Sequence, residues 1–128
     1  MHNHIICPKC KNSLNVERHV VFVVEKNDGS RGLVLLSSEI GDYSIRNNPS
    51  IEIEEGERLE FYCPLCHGKL SVQHHPNLVR VLMKEKSGNE CEVYFSRIVG
   101  QKSTYLIKQD GKVEPFGYDS SEYFDALM

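Results

Sequence analysis

Two stretches of eight residues, CPKCKNSL (Cys7 to Leu14) and CPLCHGKL (Cys63 to Leu70), share the pattern C-P-x-C-x-x-x-L, and nothing else in this chain of 128 residues constrains its fold as strongly. In C-x-x-C the two thiolates chelate one ion if the backbone turns tightly between them, and the proline after the first cysteine restricts that turn. Two such tips facing each other complete a tetrahedron of thiolates with bonds of about 2.3 Å. A single C-x-x-C is a weak signal, whereas two with matching flanks are a strong one. Cys7, Cys10, Cys63 and Cys66 are therefore expected to form one metal site. The site would close a loop of 52 residues, 11–62. Loop closure costs roughly 3.5 kcal/mol, against roughly 10 to 16 kcal/mol for zinc binding by small folded sites, so metal binding wins.

With five cysteines, complete disulfide pairing is impossible. The N-terminal MHNHIICPKC lacks the apolar region of a signal peptide, and the runs VVFVV and LVLL are too short to span a bilayer. A cytoplasmic protein with no membrane association is expected, and in that reducing compartment paired cysteines are ligands rather than disulfides. Apolar residues at 40% and charged residues at 26% suit a soluble globular chain. The net charge of −3 would become about −5 with a divalent ion held by four thiolates, which disfavours nucleic acid as the main partner.

Between the cysteine pairs the chain reads as strands. HVVFVVEK (His19 to Lys26) and GLVLLSS (Gly32 to Ser38) flank the turn NDGS and predict a hairpin. GDYSIRNNPS (Gly41 to Ser50) predicts a loop. IEIEEGERLEFYC predicts two short strands about a turn at Glu55-Gly56, the second running into Cys63. After the second cysteine pair, Leu78 to Lys86, Glu90 to Val99, Ser103 to Lys108 and Lys112 to Phe116 predict an antiparallel meander. Asp119 with Glu122 fits a capping box, and Tyr123, Phe124 and Leu127 share one helical face, so a short C-terminal helix is expected. The expected organisation is a metal-stapled lobe over 1–77 with inserted hairpins and a meander plus helix over 78–128, packed as one mainly β domain.

On CPKCKNSL and CPLCHGKL the chain resembles the zinc-ribbon and rubredoxin-like proteins, whose knuckles carry the same C-P-x-C-x-x-x-L pattern. The resemblance covers these two segments and implies two β-hairpin knuckles clasping one ion, here with extra hairpins between them. Rubredoxin-like iron sites usually place glycine directly after the second cysteine; here Lys11 and His67 occupy those positions. Zinc is the expected ion, with iron as the alternative. Four protein ligands close the coordination sphere, so a structural rather than catalytic ion is expected.

The remaining chemistry-bearing residues carry less. Lys11, His67 and Lys69 beside the cysteines are candidates for contact with the sulfurs or with a partner. His2, His4, His74 and His75 lack the ligand count of a second site. Cys91 shares a strand face with Val93 and Phe95 and is expected to be a buried, inert thiol. Phosphate-binding, nucleophile-elbow and H-E-x-x-H motifs are absent, and Glu54 and Glu55 flank a turn glycine as solvated charges. Charge is uneven, with seven acidic and two basic residues over 39–60 and four basic and one acidic over 67–86. The expected function is a non-enzymatic zinc protein that presents a surface to a protein partner. The alternatives are a zinc ribbon associated with nucleic acid or ribonucleoprotein, through Lys9, Lys11, Arg18, Lys69, Arg80, Lys84 and Lys86, and a rubredoxin-like electron carrier.

Overall fold

Alternation of β-branched and aromatic side chains sets the first long strand, His19–Glu25, in which Val20, Phe22 and Val24 are buried while the residues between them are half-buried. In a computed structural model that describes residues 4–47, 51–72, 75–85 and 88–119, eleven strands follow one another: β1 (His4–Ile6), β2 (Asn15–Val16), β3 (His19–Glu25), β4 (Arg31–Ser37), β5 (Ile45–Asn47), β6 (Glu60–Tyr62), β7 (Ser71–Val72), β8 (His75–Lys84), β9 (Glu90–Ser96), β10 (Thr104–Ile107) and β11 (Val113–Phe116). They form two antiparallel sheets. One has the order β1-β8-β9-β10-β11 with β7 also on β8; the other has the order β2-β3-β4-β5 with β6 also on β3.

The expected hairpin is β3-β4, in register from His19↔Ser37 to Glu25↔Arg31. Its turn closes through Lys26 N to Ser30 O (2.9 Å) and Gly29 N to Lys26 O (3.0 Å), with Asp28 Oδ1 accepting from Ser30 N. The β10-β11 turn repeats this arrangement around Asp110 and Gly111. The meander is also present, with Pro115 on the edge strand, where its missing N–H costs no ladder bond.

Two expectations need correction. The segment 41–50, read as loop, contains β5, which pairs with β4 from Val34↔Asn47 to Leu36↔Ile45. Ile45 packs against the core, and that burial overrides the surrounding turn-forming residues. The expected strand at Ile51 to Ile53 does not form: Ile51 instead buries its side chain over Gly32, where a Cβ would come within 2.6 Å of Ile51 Cγ2. The arm that follows pairs with the chain after β9, through Gly56 N to Val99 O and Val99 N to Glu57 O, both 2.8 Å. The expected C-terminal helix falls beyond the described residues. No helix occurs among the described residues, and 120–128 lie outside them. Asp119 itself sits in a turn, its carboxylate accepting from Lys102 N at 2.9 Å.

The two sheets face each other around one core. Val20, Phe22, Val24, Val34 and Phe61 come from one; Ile5, Val79, Val81, Met83, Cys91, Val93 and Leu106 come from the other. Phe22, Phe61 and Phe95 meet at its centre with centroids 5.4 to 5.7 Å apart, two of the three contacts edge-on.

The halves of the chain repeat one order: short strand, cysteine turn, short strand, long strand, returning strand. Each half also lends its first strand to the other's sheet, since β1 pairs with β8 and β6 pairs with β3. Both cysteine turns therefore cross between the sheets, in opposite directions.

Candidate metal centre

The two cysteine turns are built by the same hydrogen bonds. In the first, Cys7 N donates to Asn12 O (3.0 Å), Lys11 N to Cys7 O (2.9 Å) and Leu14 N to Ile5 O (2.8 Å). In the second, Cys63 N donates to Gly68 O (3.0 Å), His67 N to Cys63 O (3.0 Å) and Leu70 N to Phe61 O (2.9 Å). Leu14 and Leu70, each 2% exposed, anchor the turns in the core. This gives the final leucine of the shared pattern its reason.

Amides point at the sulfurs. Cys7 Sγ accepts from Lys9 N (3.3 Å) and Cys10 N (3.5 Å), and Cys63 Sγ accepts from Leu65 N (3.3 Å) and Cys66 N (3.4 Å). Gly68 N adds a bond to Cys66 Sγ at 3.4 Å. The chain reaches this geometry by taking left-handed φ values at Lys11 (63°) and His67 (61°), a region that L side chains enter at a cost. The turn usual with glycine is thus made here with a lysine and a histidine.

The four thiols converge. All four Sγ atoms lie within 4.8 Å of one another, and the Cys7–Cys66 and Cys10–Cys63 pairs, each with one sulfur from either turn, are 3.8 Å apart. A regular tetrahedron with bonds of about 2.3 Å has edges of about 3.8 Å. The cluster therefore matches the size of a tetrathiolate site and could hold a metal ion.

Cys7 and Cys63 are fully buried, while Cys10 is half-buried and Cys66 exposed. Burial raises the Cys7 thiol and pushes Cys63 up to about 12. Cys10 is drawn down to about 7, chiefly by the Asn12 backbone amide. Asn12 has no counterpart in the shared pattern, and nothing in the sequence singled it out.

Lys11 and His67 are exposed at the turn tips, and Lys69 turns away from the sulfurs to Glu60 Oε2 at 3.6 Å. Glu60 also pairs with Arg97 at 2.9 Å, both side chains being largely buried. The stem of Lys9 lies over Gly68, with Lys9 Cδ 2.6 Å from where a Cβ would stand. Leu65, between Cys63 and Cys66, is 57% exposed. Cys91 is buried on the core face, as its alternation predicts. His4 and His75 pair in strands with Lys84 and Val72, whereas His2 and His74 lie outside the described residues. Among the described residues, the four cysteines form the one cluster of metal-ligating side chains, and no helix is long and apolar enough to cross a membrane.

Fold and site together define a class, an antiparallel two-sheet protein with a four-thiol cluster where two equivalent turns meet. Compared with protein-family models, with curated proteins and with solved structures, the chain shows no match.

Proposed function

We propose that the four thiols hold a structural zinc ion and that the chain is a non-enzymatic protein whose two cysteine turns present a surface to a protein partner. The match between the 3.8 Å sulfur separations and the edge of a zinc tetrathiolate carries the metal reading. With all four positions taken by protein, the ion has no open site for substrate, which supports a structural role. Zinc is preferred to iron because the strained positions after the second cysteines carry Lys11 and His67, where a redox site favours glycine. The partner surface is the tip itself: exposed Leu65 beside Lys9, Lys11 and His67. An apolar anchor beside the cations of Lys9 and Lys11 suits an acidic protein segment.

Metal content of protein produced with zinc and iron both available tests the first part. One colourless zinc per chain is expected, lost in the Cys63→Ser, Cys66→Ser variant; a red ferric site would favour the electron carrier. For the second part, Leu65→Asp on the zinc-loaded protein should abolish binding of the partner recovered with the intact chain, leaving metal content unchanged. The exposed Lys9 and Lys11 favour one second reading, association with nucleic acid. Titration with RNA and DNA at two salt concentrations decides it, since phosphate contacts give a steep salt slope.

A further inference from the structure

Among the described residues, the aromatic centre of the core is left open on one side. A cavity of about 330 Å³ lies between the two sheets, reaching Phe22, Phe61 and Phe95 at its floor, and none of the four thiols lines it. Protein interiors rarely leave voids larger than a water molecule. Here the shortfall is concentrated: of eight partly buried hydrophobic residues packed against the core among the described residues, five (Leu36, Ile40, Ile45, Phe95 and Val99) line this one space. We infer that the cavity is a binding site for a small hydrophobic amine, seated with its apolar body against the three phenylalanines and its ammonium group at the acidic mouth.

The body must be apolar because the polar groups around the cavity are engaged with one another. Tyr43 Oη meets Thr104 Oγ1 at 2.8 Å and donates to Phe116 O at 3.0 Å; Ser103 Oγ donates to Asp119 O at 2.8 Å; Ser96 Oγ donates to Gln101 Oε1. Arg97 is held by Leu59 O at 2.7 Å and by Glu60. A carboxylate or phosphate brought inside would lose its water without gaining a donor. Size follows from volume: a cavity of about 150 Å³ takes benzene, so this one suits a two-ring or eight- to ten-carbon body.

Charge at the mouth selects the head. Glu39, Asp42 and Glu55 line it and are exposed, against one exposed cation, Lys102. Neither Glu39 nor Glu55 has an ion-pair partner among the described residues. An ammonium group gains there, and a carboxylate is repelled.

Three probes of one size, 1-naphthylmethylamine, 1-naphthylmethanol and 1-naphthoate, distinguish the possibilities on the intact, metal-loaded chain, whose lack of tryptophan leaves naphthalene fluorescence readable. The amine should saturate one site per chain, the alcohol should bind more weakly, and the naphthoate most weakly of the three. Ile40→Trp should fill the cavity and remove saturable binding. Glu39→Gln with Glu55→Gln, two exposed substitutions that leave the core untouched, should cost the amine up to about fivefold per carboxylate and leave the alcohol unchanged. Absence of saturable binding, naphthoate binding as tightly as the amine, or an amine indifferent to the Glu→Gln pair would each overturn the inference. So would binding that appears only after Tyr123→Ser and Phe124→Ser, because the cavity would then belong to the chain's own last residues.

Discussion

Lys11 and His67 each follow the second cysteine of a turn, and each holds a left-handed backbone that glycine adopts without a Cβ penalty. Replacing either with glycine removes that penalty while adding freedom to the unfolded chain. A net gain of about 0.5 to 1 kcal/mol per site is expected in denaturant unfolding of the metal-loaded protein. A loss would mean that the two side chains contribute contacts outweighing their strain. Gly32 is the opposite case, since Gly32→Ala would drive a methyl group into the buried Ile51 side chain and should cost about 1 to 3 kcal/mol in the same measurement.

The thiols also fix how metal affinity varies with acidity. Burial keeps protons on Cys7 and on Cys63, the latter pushed up to about 12, so a divalent ion entering near neutral pH must displace them. Binding then releases protons, and affinity rises with pH and falls as pH drops. The expected slope is about tenfold per pH unit for each proton released, read by competition with a chromophoric chelator between pH 6 and 8. A flat profile would show that the sulfurs are already ionised before the ion arrives.

Among the elements, the strands with the strongest alternation were the most legible: β3, β4, β8 and β9 stand where β-branched and aromatic residues alternate between turn glycines. The ligand candidates were legible because a short chelating turn leaves a fixed spacing in the sequence. What could not be read locally was pairing decided elsewhere. β5 exists because β4 offers an edge and the core offers a place for Ile45, and the residues after Ile51 find their partners around Val99. The repeat of strand order between the halves was equally hidden, since only the cysteine turns keep matching letters.

Two side chains tie β5 and β6 to the opposite sheet. Tyr43, just before β5, reaches the opposite sheet at Thr104 and Phe116. Tyr43→Phe should lower stability by about 1 kcal/mol by leaving those groups short of a partner. Glu60 on β6 neutralises Arg97 beyond β9, where both are largely buried. Glu60→Ala should cost about 3 kcal/mol or more in denaturant unfolding, because an uncompensated guanidinium remains.

At the scale of the molecule, the cysteine turns are the crossings between sheets, and the ion would bind the crossings to each other. Removing it with a chelator should lower the thermal midpoint while leaving one cooperative transition, because both sheets depend on both crossings. Two separate transitions in calorimetry would mean that the sheets are independent. The exchange of leading strands makes each half depend on the other. The two halves stand to each other as the subunits of a heterodimer would if joined by a peptide tether, with Cys7 and Cys10 on one, Cys63 and Cys66 on the other, and the exposed Glu55-Gly56 turn within the tether. Severed at that turn, each piece keeps half of the ligands and lacks a strand that only the other supplies, so the pieces should reunite in gel filtration when metal is present and part when it is withdrawn.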